Sequence, residues 1–130
     1  MIWDKLRYFN ESENWGDAKK INGALLLVAD ELRHNIDRPI IILNAYSVDG
    51  HSDKSQHYTG NAIDFRISGM PFFDAYRKTI EILKGLQILD RVGFGVYPDT
   101  KFFHLDLRGE KARWSRIDGE YLGIEKAFGG

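Results

Sequence analysis

Two histidines and one aspartate carry the most specific chemistry this sequence offers. The stretch "SQHYTGNAIDF", residues 55–65, sets His57 and Asp64 seven positions apart, with Gly60 and Ala62 between them. Further along, "FFHLDLR" alternates as a strand does, so Phe103, Leu105 and Leu107 share one face and His104, Asp106 and Arg108 the other. In "NAIDFRI" the same alternation points Ile63, Phe65 and Ile67 one way and Ala62, Asp64 and Arg66 the other. If these strands are neighbours in one sheet and His57 folds back from the preceding loop, two imidazoles and one carboxylate meet at a point. Two histidines and a carboxylate, with a fourth position for water, make a catalytic zinc arrangement. Imidazole and carboxylate suit zinc where no thiolate competes, and such a site lowers the pKa of a bound water towards about 7. Gly60 lets the loop turn sharply between the two ligands, and Ala62 keeps the inner face of its strand small.

Several elements must position these residues. Ile21, Ala24, Leu25, Val28 and Leu32 fall at helical spacing, with Asn14 or Asp17 as a cap and an end near "NIDRP", because the residue before Pro39 avoids helical geometry. "IIILNAY", 40–46, reads as a buried strand, and "SVDGHSDKSQ", 47–56, as a polar loop. Pro71 opens a second helix whose buried stripe is Phe72, Tyr76, Ile80 and Leu83. "VGFGVY" and "KFFHLDLR" read as strands joined by the turn "PDT". The order helix, strand, strand, helix, strand, strand predicts an α+β fold with an antiparallel central sheet and helices packed on it. The basic stretch "RGEKARWSR" reads as a solvated face, and Tyr97 and Trp114 as aromatics either of the core or of a cleft wall.

The chain has 130 residues, no internal repeat and no linker-like segment, which predicts one domain over 1–130. It has no cysteine, so disulfides, thiolate metal sites and a cysteine nucleophile are excluded. A net charge of −1 without a long single-sign run predicts neither a nucleic-acid partner nor a membrane surface. The first residues, "MIWDKLRYFNESENW", mix charge with apolar side chains and do not read as a signal peptide. The expectation is a monomer made in the cytoplasm and acting at the cell wall or periplasm, with phage-type release as one route.

"SQHYTGNAID" matches the pattern Ser-x-His-x-x-Gly-x-Ala-x-Asp and so resembles the superfamily of lysostaphin, D-Ala-D-Ala metallopeptidases and Sonic hedgehog. More narrowly it is similar to the M15 zinc peptidases, which include D-Ala-D-Ala carboxypeptidases, murein endopeptidases and phage endolysins. "VGFGVYPDTKFFHLDLRGEKARW" looks like that family's second block, and "ENWGDAKKINGALLLVADELR" like its first helix, so the likeness runs from about residue 8 to residue 114. The resemblance implies a hedgehog- or DD-peptidase-like fold and cleavage of peptide bonds in peptidoglycan. It makes His57, Asp64 and His104 the ligands of one zinc ion. It also implies that Ser55 supports a ligand or touches substrate, and that Asp106 orients a ligating imidazole or polarises the water. A simpler role for Asp106 is a pair with Arg108 or Arg66 at the sheet surface.

Two departures from the family pattern leave roles open. Many relatives carry an acid three positions before the second histidine; here that residue is Lys101. The candidates for the catalytic base are then Asp106, His51 and Asp99. Ser47 stands where an arginine that binds substrate is usual, so recognition of a substrate carboxylate falls to Lys54, Arg66 or Arg108, with Tyr97 and Trp114 as cleft candidates. A zinc-fold binding or structural module that has lost hydrolysis is the main rival reading, and a dipeptidase for free D-Ala-D-Ala is a third.

Overall fold

A computed structural model describes residues 1–129. Helix α1, Gly23–Ile36, packs Leu25, Leu26, Ala29 and Leu32 into the core. Its cap is Asn22, whose side chain accepts the Ala24 N–H, rather than Asn14 or Asp17. Asp17 instead caps a separate short turn, Ala18–Lys20, because the chain bends before the helix begins. Asp37 in the left-handed conformation ends α1, two residues before Pro39. Helix α2, Phe72–Gly85, starts directly after Pro71, and buries Ala75, Thr79 and Leu83.

The strands are β1 Ile40–Asn44, β2 Ala62–Ile67, β3 Gly93–Tyr97, β4 Phe102–Asp106, β5 Ala112–Ile117 and β6 Glu120–Leu122. They form one sheet in the order β1-β2-β4-β3-β5-β6. The α+β class is as expected, but the sheet is mixed, because β5 pairs parallel with β3. The segment read as a solvated basic face is therefore mostly a strand. Only Ser115 is fully buried there, so β5 carries no apolar stripe that would mark it as a strand.

Alternation separates the two faces of the sheet. Ile63, Phe65, Phe94, Val96, Phe103 and Leu105 are all buried and join the side chains of both helices in one apolar cluster. The opposite face holds Asp64, His104 and Asp106, with Gly93 and Gly95 beside them in register. The hydrophobic layer thus leaves the second face free for polar chemistry.

Two glycines close the frame around that face. Gly60 has φ +70°, and its carbonyl accepts the Asn22 N–H ahead of α1. A Cβ there would stand 1.8 Å from the Lys20 carbonyl oxygen. Gly16 has φ +81°, and a Cβ would stand 2.1 Å from the Tyr46 carbonyl oxygen. Gly60→Ala is expected to lower unfolding free energy by at least about 2 kcal/mol, since clash adds to conformational cost. Gly50 has φ +88° but nothing within 4 Å of a Cβ, so Gly50→Ala should cost only about 1 kcal/mol. Equal losses for the two variants in denaturant titrations would contradict this account.

Candidate metal centre

Antiparallel pairing of β2 with β4 sets Asp64 directly opposite His104. His57 reaches them from a single helical turn, Gln56–Thr59, ended by Gly60 in the left-handed conformation. Ser55 caps that turn: its Oγ accepts the His57 backbone N–H at 3.2 Å. The motif serine thus fixes the backbone of the histidine two positions on, and its residue also lines the cleft.

Each imidazole has one nitrogen committed away from the centre. His57 Nδ1 lies 2.6 Å from the Ala45 carbonyl oxygen, which can only accept, so Nδ1 carries the proton. His104 Nε2 donates to Asp106 Oδ2 at 2.7 Å. The remaining nitrogens face the same atom: His57 Nε2 is 3.3 Å and His104 Nδ1 3.1 Å from Asp64 Oδ1. With both rings neutral, three lone-pair groups are aimed at one another, an arrangement that a cation between them would relieve. One ligand atom from each residue lies within 4.8 Å of the others. Ligands about 2.0–2.1 Å from a tetrahedral zinc ion stand about 3.3 Å apart, so the donor set fits that ion.

The electrostatics agree. Burial disfavours the Asp64 carboxylate, but His104 and His57, which donate to it when their facing nitrogens are protonated, outweigh burial and hold its pKa at about 2. Burial likewise disfavours a charged His104, yet its bonds to Asp106 and Asp64 raise its pKa above the ordinary value. Without metal, a proton on His104 is the cation that reconciles these groups.

Asp106 is fully buried, and both its oxygens are occupied. Oδ1 accepts from the N–H groups of Gly93 and Arg108 and from Arg108 Nε, while Oδ2 accepts from Arg108 Nη2 and His104. A Cβ at position 93 would stand 2.5 Å from Oδ2, so glycine makes room for this carboxylate. Asp106 therefore holds the His104 ring and pairs with Arg108, in a buried position rather than at the sheet surface. It does not line the cleft and is not placed to act as a base on substrate.

A cleft of about 700 Å³ opens over the trio. His51, Lys54, Ser55, Tyr97, Arg108 and Trp114 line it. His51 stacks on His57 with ring centroids 4.3 Å apart, and its Nε2 lies 3.0 Å from Asn44 Nδ2. Burial, then the neighbouring His57, lowers its pKa. Asp99 and Arg66 are not brought to the site. Asp99 is exposed and accepts the Asp118 N–H, because the turn after β3 carries it beyond the cleft. Arg66 lies at a separate, smaller pocket with Lys101 and Phe72, two residues further along β2 than Asp64. The sequence reading missed Phe102, Arg116 and Tyr121, which also line the cleft, the guanidinium of Arg116 lying 4.9 Å from the Tyr121 ring centre.

Fold and site together define an α+β domain with a His–Asp–His group that could hold a metal ion on the floor of an open cleft. Part of the chain is similar to the Probable peptidoglycan L,D-endopeptidase MepK of Haemophilus influenzae, with 37% identity over 68 residues. The match covers 52% of this chain and 32% of that protein, so the chain spans about a third of its relative's length. No family model matches the chain, and no solved structure matches it.

The purified protein is expected to bind one zinc ion, and His57→Ala or His104→Ala to abolish stoichiometric binding by metal analysis. Asp106→Asn should weaken affinity about 10- to 100-fold through loss of ring orientation. Because the metal displaces the proton favoured on His104, affinity should fall as pH falls, with proton release on binding. Proton release is read with an indicator dye; pH-independent affinity would argue against His104 as a ligand.

Proposed function

We propose that this chain is a zinc-dependent peptidase domain that hydrolyses peptide bonds in bacterial peptidoglycan. The observation that carries the reading is the convergence of His57 Nε2, His104 Nδ1 and Asp64 Oδ1 beneath an open cleft. Its similarity to a protein named as a peptidoglycan endopeptidase supports the substrate class and favours an internal bond over a terminal one. His57, Asp64 and His104 would hold zinc, which would supply Lewis acidity and a nucleophilic water near neutral pH.

The chain's own residues supply the rest. Ala45 and Asp106 hold the two rings so that the correct nitrogens face the centre. Of the candidates for the base, His51 lines the cleft, so we assign it the proton taken from the attacking water and returned to the leaving amine, a role in which its Nε2 exchanges the Asn44 Nδ2–H for that water. Lys54 and Arg116 line the cleft without a salt-bridge partner among the described residues, which suits a peptide bearing carboxylates. Arg108 lines the cleft too, but its guanidinium is committed to Asp106. The reading places action at the cell wall, by a single copy of the chain. No helix among the described residues is long and apolar enough to cross a membrane.

One observation favours the second reading, a metal-binding module without hydrolysis. Among the described residues the cleft lining contains no carboxylate besides Asp64. Purified peptidoglycan incubated with the zinc-loaded chain separates the two. New amine groups should appear, vanish with a chelator, and fall at least about 100-fold with His57→Ala. Fragment masses identify the bond. Bound zinc without amine release, across several wall chemotypes, would establish the binding module instead.

A further inference from the structure

Gly95 lies opposite His104 in the β3–β4 pairing and opposite Trp114 in the β3–β5 pairing. A Cβ at Gly95 would stand 2.5 Å from the Trp114 indole. Only glycine therefore lets that indole lie across β3, where its ring centre is 5.1 Å from that of His104. From this position Trp114 Nε1–H donates to the Tyr97 hydroxyl at 3.1 Å. Tyr97 is two residues beyond Gly95, on the same face, and its ring stacks on Phe102 at 4.3 Å. The phenol is thus held from two sides on the wall beside the trio.

An indole N–H can only donate, so it occupies a lone pair on the Tyr97 oxygen and leaves the hydroxyl hydrogen free. Among the described residues no acceptor takes that hydrogen. Burial pushes the phenol up to about 12, so it keeps its proton at neutral pH. A fixed, protonated, uncommitted donor in the cleft suits acyl transfer, where it can meet negative charge as that charge forms.

We propose that the Tyr97 hydroxyl donates a hydrogen bond to the carbonyl oxygen of the scissile peptide as it becomes an oxyanion, with Trp114 as the positioning residue that aims it. The inference rests on the peptidase reading of the same site. No covalent bond to Tyr97 is made, and its proton stays on oxygen throughout. The role differs from that of a mere packing aromatic, because it resides in one O–H group and shows only when charge develops.

The test compares zinc-loaded wild type with Tyr97→Phe and Trp114→Phe, both of which keep an aromatic ring. Zinc content and thermal unfolding should be unchanged in Tyr97→Phe. Its kcat on peptidoglycan-derived peptides should fall about 100-fold with KM little altered. A phosphinate pseudodipeptide with alanine side chains, which mimics the tetrahedral oxygens, should bind Tyr97→Phe at least tenfold more weakly than wild type, and Trp114→Phe by an intermediate factor. Equal phosphinate affinity in wild type and Tyr97→Phe overturns the proposal whether or not turnover is seen. Wild-type protein that binds zinc but hydrolyses nothing would sink the peptidase reading separately, with the phosphinate comparison still deciding the role of Tyr97.

Discussion

The face-to-face placement of Asp64 and His104 across β2 and β4 is the constraint on which the site depends. A shift of one residue in that pairing would turn one of the two side chains into the apolar layer under the helices. The register is held by what lies on the other face. Phe65, Phe103, Ile63 and Leu105 are each at most 1% exposed, and any slip would expose them. Burial of the greasy face therefore determines the geometry of the polar one. The third member, His57, is added by a capped turn whose direction depends on Gly60 and on Ser55.

The cost of gathering these groups is met by further hydrogen bonds. A buried carboxylate or imidazole is unfavourable unless its polar atoms are matched. Asp106 is matched by Arg108, by two backbone N–H groups and by His104. Ala45 performs the same service for His57, and its own position depends on a more distant part of the chain. The neighbouring Tyr46 N–H is held by the Trp15 carbonyl, and Trp15 sits in an aromatic cluster with Trp3 and Phe9. The N-terminal segment thus braces the strand end that aims a metal-facing ring, though no residue of it lines the cleft.

Much of the frame was legible in the residues. The alternation in "NAIDFRI" and "FFHLDLR" set the facing of Asp64 and His104 because period two is a local property of strand geometry. The helices were legible from their spacing, but the start of α1 was not. Asp17 and Asn22 are equally good caps by type, and only the bend at Ile21 selects Asn22. Strand β5 escaped because its cleft face carries Trp114 and Arg116 and its inner face buries only Ser115 completely. It presents no apolar stripe to read, and its parallel partner β3 is distant along the chain.

The sequence by itself determined which side chains are available as ligands, which way β2 and β4 face, and that no thiolate competes with imidazole. Those are consequences of residue type and of backbone periodicity, both local. Tertiary structure alone decided that Asp106 lies beneath His104 rather than open to the cleft, that Arg66 and Asp99 are carried away from it, and that Tyr97 is aimed by Trp114 across Gly95. Each of these depends on a contact between segments far apart in the chain, formed only when the sheet closes, and no local pattern encodes which side chain will take the last lone pair.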